Sequence, residues 1–549
     1  NLDPDQLPSS LDPTFVLTNV REQAVGTVTI NPLVRVDGQI RKVVSFTLAY
    51  ELGSPGSAAP ARRSSVMTKE NSVLSRGTWH KFRIDTTGIY KINKELLQEI
   101  GLSTAGLDPR NIRIYGNGGK MLPQRNEDFR YDDLEENSIY IEGELDGSFD
   151  DSDYILFYGQ GPEHWKIDQG DFLSTEHQAN LYSDHAYYFI SADQGPGQRI
   201  EPMTPVDEPA DRVLTTFQDY ALHEVDEINL FSNGQQWMGE DFSFEETQTF
   251  RFSFTDLDPS QELSIRIRAA AISFSNTSMS ALVNGNNLLN LDFRAQSPNS
   301  LTLASTDTGV GRANLVSENI EVQLSYNNGG NPSSRAYLDY IEILGTKRLI
   351  ARTRQFAFRN TSATDPGSIY EYVIENASNI AHLWDVSNPL NPKTVTNQSE
   401  SPAFRFKFRG GETREYILAT DDDYLIPEAL EKSRVENQDL HALRDIDYLV
   451  ITRDYLFGEA ERLAEYHREN SNMNTAVVDL EQVYNEFSSG SPDLTAIRDF
   501  VRHLYIRSAP GRKIRFLCLF GDSSFDFKDR ITGNNNVVPA FQSYERDRK

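Results

Sequence analysis

The sequence predicts a multidomain chain that is mainly β in its N-terminal modules, among them an antiparallel sandwich or jelly roll, and that then opens an α/β parallel sheet. Two patterns carry this expectation. Apolar and polar residues alternate along Leu263, Ile265, Ile267 and Ala269, and again along Ile320, Val322, Leu324 and Tyr326, with Asn284-Gly285 and Asn328-Gly329-Gly330 as turn signals. From about residue 445 the alternation gives way to short apolar runs separated by helical spacing. At 549 residues the chain is also too long for one hydrophobic core.

In chain order, residues 52–65 concentrate Gly53, Ser54, Pro55, Gly56, Ser57 and Pro60, the composition of a loop or linker. Trp79, Phe82 and Ile84, the turn Thr87-Gly88, then Tyr90 and Ile92 predict a β-hairpin. Asn93 is placed to cap a short helix carrying Leu96, Leu97 and Ile100 that stops at Gly101. Short strands follow at 112–115, 138–142, 154–158 and 187–190, and a further β-type stretch runs from about 346 to 425. The expected division is 1–65, 66–210, 211–345 for the sandwich, 346–440 for a connecting β segment, and 441–549 for the α/β unit.

Within that unit Tyr448–Thr452 reads as a strand, and Ala460, Leu463, Ala464 and His467 follow at helical spacing. Residues 475–480 form a second strand. Pro492 and Asp493 open a helix with Ile497, Phe500, Val501 and Leu504 on one face, and 516–520 is a third strand ending at Gly521-Asp522. Only three strands fit before Lys549, so the parallel sheet is expected to be incomplete there.

Charge narrows the function. With 53 basic and 81 acidic residues the formal net charge is -28, which repels phosphate backbones and anionic lipid headgroups. Nucleic acid is therefore not an expected partner, and no apolar run reaches the roughly 20 residues of a membrane-crossing helix. The first residue is Asn1 without a leader pattern before it, as in a processed or trimmed exported chain. Cys518 is the one cysteine, which excludes an internal disulfide and a cysteine-built metal site. No metal centre or cofactor is expected.

Local groups that could carry chemistry each have a bland reading beside the sharp one. Cys518 lies inside the apolar run 516–520 and is expected to be a buried packing residue rather than a nucleophile. Gly521-Asp522-Ser523 matches the nucleophile tripeptide of Gly-Asp-Ser-Leu esterases, but no His follows His503, so a strand-end turn is favoured. Asp146, Asp150, Asp151 and Asp153 lack calcium-loop spacing and read as a solvated loop, as does Asp421-Asp422-Asp423. His177 and His185 have no flanking ligand pattern. In the carboxyl-end loop of the third strand, Asp522 is the candidate substrate-cleft residue, because open parallel sheets bind ligands beyond their carboxyl ends.

Several strings together resemble one family. They are Gly77-Thr78-Trp79-His80-Lys81-Phe82, Thr87-Gly88-Ile89-Tyr90-Lys91-Ile92, Asn111 to Gly119 (NIRIYGNGG), Asp153 to Gly159 (DYILFYG) and Leu383 to Pro389 (LWDVSNP), then Ala496-Ile497-Arg498-Asp499-Phe500, Leu519 to Asp526 (LFGDSSFD) and Val538 to Glu545 (VPAFQSYE). In this order they resemble the N-terminal half of the type IX secretion sortases, a family similar to the gingipain cysteine peptidases with their caspase-like parallel sheet. The resemblance implies a cell-surface peptidase, exported and outer-membrane associated, that removes C-terminal sorting domains from cargo. It implies transfer of cargo to a lipopolysaccharide acceptor and an outer-membrane barrel as partner. In that family the catalytic His and then Cys follow the block matching Val538 to Glu545, so no catalytic residue is assigned before Lys549. A different class of function is a non-enzymatic surface β-sandwich that binds glycans or proteins through exposed aromatics such as Trp165 or Trp237.

Overall fold

A computed structural model describes residues 14–20, 23–30, 32–36, 39–45 and 47, and then 69–541 except 169–170, 301–302, 353, 400 and 421–422. The linker expected at 52–65 lies outside the described residues. The chain divides into a unit of residues 1–67 and a unit of residues 68–549. The first holds two antiparallel pairs, Thr14–Val20 with Gln23–Thr29 and Leu33–Val36 with Gln39–Lys42.

The second unit is mostly antiparallel sheet followed by one small parallel sheet, as the alternation and its change of grammar predict. Its first part contains two sheets around one apolar core. Trp79–Ile84 pairs with Ala186–Ser191 and with Glu428–Val435, whereas Gly88–Asn93 pairs with Tyr154–Gly159. The hairpin expected across Thr87-Gly88 is therefore not formed. The chain turns a corner there and changes sheet, the arrangement of orthogonally packed β layers. The Tyr90 hydroxyl donates to the Thr86 carbonyl at 2.7 Å across the bend, and Phe82, Tyr90, Phe157 and Tyr188 fill the space between the sheets. The short helix is present as Lys94–Glu99, with the Asn93 carboxamide accepting from the Leu96 amide at 3.0 Å.

The sandwich packs the strands Thr247–Ser253, Asn319–Asn327, Thr277–Val283 and Asn286–Phe293 against a nine-stranded sheet. The Asn284-Gly285 turn joins Thr277–Val283 to Asn286–Phe293 with both residues at positive φ (45° and 79°), the geometry of a type I′ hairpin. The nine-stranded sheet continues without a break from Leu263–Ile272 and Arg335–Arg348 through Thr216–Glu224 into Phe356–Arg359, Glu415–Thr420 and Ile380–Asp385. Beside its later strands an aromatic core of Phe358, Tyr372, Phe406, Phe408 and Tyr416 is covered by Ile369–Ile374 and Phe404–Arg409.

In the α/β unit, Tyr448–Thr452 is the central strand, flanked in parallel by Thr475–Asp479 and Phe516–Leu519. Helices Phe457–Ser471 and Thr495–Arg507 lie where the spacing predicts. A helix not anticipated, Leu480–Phe487, follows its strand directly; Asp479 caps it by accepting from the Glu481 amide, and Leu480, Val483 and Phe487 are buried. One expectation is overturned. Cys518 is only half-buried, and Phe516, Leu517 and Leu519 are 42%, 42% and 37% exposed. Their strand pairs with Tyr448–Thr452 alone among the described residues, so the apolar run is an outer strand instead of one covered on both faces.

Candidate active-site cleft

The carboxyl ends of the three parallel strands deliver Arg453, Leu480 and Gly521 to one rim. The Phe520 amide donates to the Ile451 carbonyl at 2.9 Å, and the Thr452 hydroxyl donates to the Phe520 carbonyl at 2.7 Å, fixing where the third strand leaves the sheet. Gly521, at φ 152°, is required by close approach: a Cβ there would lie 2.4 Å from Val537 Cγ1. That approach lets the Asp522 carbonyl accept from the Val537 and Val538 amides at 3.0 and 3.1 Å, which draws residues 534–538 over the sheet end.

Between this loop and the helix Leu480–Phe487 lies a cavity of about 350 Å³ walled by Arg453, Tyr484, Phe527, Asn535, Asn536 and Val537. Arg453 Nε donates to the Val537 carbonyl at 3.3 Å and its guanidinium stands 6.0 Å from the Tyr484 ring. Burial pushes the Tyr484 phenol well above its ordinary pKa, so it stays a neutral hydroxyl. A guanidinium, a phenol and side-chain amides around one hollow match the donors and acceptors of a peptide backbone.

The loop is held from below and from the side. Asp526 is fully buried, its Oδ2 accepting from the Ile531 amide at 2.6 Å and its carbonyl from Asn534 Nδ2 at 2.8 Å. Arg530 pairs with Asp226 at 2.8 Å and lies 5.0 Å over the Trp237 ring, and Lys528 pairs with Asp184 at 2.7 Å. Burial raises the Asp226 pKa, so the carboxylate depends on these cations to stay charged. Gly234 has no room for a side chain, since a Cβ would sit 2.1 Å from Phe527 Cε2.

Asp522 is exposed in the loop that follows the third strand and does not itself line the cavity. Its carboxylate accepts from the Ser523 amide at 3.0 Å and from Asn535 Nδ2 at 3.2 Å, so it positions a cavity wall. Ser523 is exposed, and no histidine bonds it; His503 lies elsewhere, bonded to the His441 carbonyl. Trp165 and Trp237 are buried, 8% and 5% exposed, the first stacked on Tyr220 and the second under Arg530, so neither is an exposed aromatic. Asp146, Asp150 and Asp153 accept from groups of their own loop, and Asp151 pairs with Lys94. Asp421 and Asp422 fall outside the described residues. His177 is clamped between Glu342 and Glu224. Sequence reasoning missed Arg453 and the run Asn534-Asn535-Asn536; the signals were a residue directly after a parallel strand and an amide-rich turn before an apolar pair.

Residues 441–548, the α/β unit with its cleft, match the model of Peptidase family C25. Among solved structures, dimeric latent PorU from Porphyromonas gingivalis superposes with a TM-score of 0.74 at 24% identity, over 87% of this chain and 45% of that one. The likeness establishes the fold through both the β modules and the α/β unit, and the resemblance read from the sequence strings is borne out at that level. The chain spans about 45% of the PorU chain's length. A CBM35 from Cellvibrio japonicus (16% identity, 24% of this chain, 95% of that one) and a family 35 carbohydrate binding module from Clostridium thermocellum (17%, 23% and 95%) match at TM-scores of 0.16 each, too low to carry an argument. No curated protein sequence matches. Among the described residues, no helix is long and apolar enough to cross a membrane.

Proposed function

We propose that the chain is the substrate-holding portion of a cell-surface cysteine peptidase that works as a type IX secretion sortase, removing C-terminal sorting domains from exported cargo and passing cargo to a lipopolysaccharide acceptor. The observation that supports this best is the cleft beyond the carboxyl ends of the parallel strands, inside the C25-matched segment. A thiolate that forms a thioester with cargo accounts for both outcomes, since water or an amine can resolve it. No described residue is assigned as nucleophile or base; in this reading they follow the block that begins at Val538. Asp522 shapes the cleft through Asn535 instead of reacting. An outer-membrane barrel is the partner that would hold the enzyme at the surface, and the five-segment division stands as part of the same proposal.

Residues 1–549 mixed with a cargo protein bearing its sorting domain are expected to bind it and leave it intact. Arg453→Ala and Asp522→Ala are each expected to weaken binding roughly tenfold, ~1.4 kcal/mol. Cleavage by this chain alone overturns the placement of the chemistry. Unchanged binding by both variants overturns the cleft.

A further inference from the structure

We propose that Asp132, His441 and His503 form a binding site for a zinc-class divalent cation at the seam between the first β-rich part and the α/β unit. The three come from a loop, the turn Leu440–Ala442 and the helix Thr495–Arg507, and their donor atoms lie within 4.8 Å of one another. His441 Nε2 is 3.9 Å from Asp132 Oδ2, and His503 Nδ1 is 4.0 Å from Asp132 Oδ1.

The outer bonds of the two rings aim the donors. His503 Nε2 donates to the His441 carbonyl at 3.0 Å, which puts its proton on Nε2 and the lone pair on Nδ1. That Nδ1 is buried and has no hydrogen-bond partner, in a residue only 2% exposed. A buried acceptor left this way is unfavourable, and a cation would satisfy it. On the other ring, His441 Nδ1 meets Glu486 Oε2 at 2.5 Å, and Glu486 is itself fixed by the Leu440 amide at 2.8 Å and Gln438 Nε2 at 2.9 Å. A carboxylate behind one imidazole and a carbonyl behind the other is the outer shell that orients metal-bound histidines.

Two nitrogens and one oxygen favour zinc over calcium or magnesium, which take oxygen shells. Tetrahedral bonds of about 2.0–2.2 Å place donors roughly 3.4 Å apart, so the present cluster closes by about 0.5–1.4 Å on binding. His441 Nε2 now donates to the Asp132 carbonyl at 2.9 Å. Binding therefore breaks that bond and releases the Nε2 proton to solvent as the lone pair turns to the ion. The Asp132 side chain is 18% exposed, which leaves a way in and a place for water as fourth ligand.

The test uses the purified chain stripped with a chelator, then loaded with zinc chloride against a chromogenic competitor and, separately, with cobalt(II). One equivalent of zinc held at submicromolar Kd, release of a proton on binding, a thermal midpoint raised by about 3 °C or more and visible d–d bands of tetrahedral cobalt are expected. Asp132→Asn and His503→Gln should each weaken zinc at least tenfold and abolish the cobalt bands. Wild-type protein without those bands, or variants that bind zinc as tightly as wild type, overturns the proposal. Should His503→Gln fail to fold, the wild-type spectrum and Asp132→Asn decide it.

Discussion

The sandwich and the α/β unit use apolar residues in opposite ways. In Thr277–Val283 and Asn319–Asn327 the alternating residues face one shared core, and Met279, Ala281, Val322 and Leu324 are buried. In Phe516–Leu519 every residue is apolar, yet three of the four are more than a third exposed. Alternation names a face, and burying it needs only the opposing sheet. A continuous apolar run needs partners on both faces and an edge, none of which the run itself specifies. The sandwich adds a refinement. Arg266 and Glu342 occupy positions that alternation assigns to solvent, yet they are buried, paired at 2.6 Å beneath Trp165 and His177.

The largest expected effect tests that covered face. His177→Ala leaves Glu342, 1% exposed, with Arg266 as its remaining side-chain partner; the loss should be about 3–5 kcal/mol in denaturant unfolding. Burial alone would lower the His177 pKa, but bonds to Glu224 and Glu342 carry it up to about 10 from 6.5. Because the folded pKa is the higher one, the stability this imidazolium adds is complete below pH 6.5, declines above it and is gone once pH passes about 10. A wild-type protein whose stability changes across that window no more than that of His177→Ala counts against the clamp.

Next, Ile265→Ala and Ile343→Ala, both fully buried, should each cost about 2–5 kcal/mol, while Leu517→Ala should cost less than about 1. Equal losses would erase the contrast between the two regions. A smaller and more local effect is expected from Gly234→Ala, which pushes on Phe527: amides of residues 526–538 should exchange faster while those of the sandwich core stay protected. Smallest of all, native Cys518 should react with a thiol reagent without unfolding, and a rate equal to that of a fully buried thiol would mean the outer strand is covered in solution.

Much of the fold was legible because it rests on local rules. Asn93 as cap, Asn284-Gly285 as a type I′ turn and the period of Leu263–Ile272 each need only neighbours in sequence. The sheet change at Thr87-Gly88 was not, since two strands meeting at a tight turn look alike whether they pair with each other or with strands far along the chain. The cleft was half legible. Strand order pointed to the loop after the third strand, but Arg530 reaches Asp226 and Arg453 reaches Val537 only after folding. The Asp132, His441 and His503 cluster has gaps of 309 and 62 residues, beyond any spacing motif.

The pairing of Trp79–Ile84 with Glu428–Val435 also sets a clock. Arg83 and Glu428 are 345 residues apart, so at about 5–20 residues per second the first strand emerges from the ribosome roughly 17–70 s before its edge partner. Throughout that interval the Trp79–Ile84 edge lacks its partner strand, while the strands of the sandwich are made. An early stop before residue 428 would release a chain whose Trp79–Ile84 edge is uncovered, a species suited to capture by a holding chaperone.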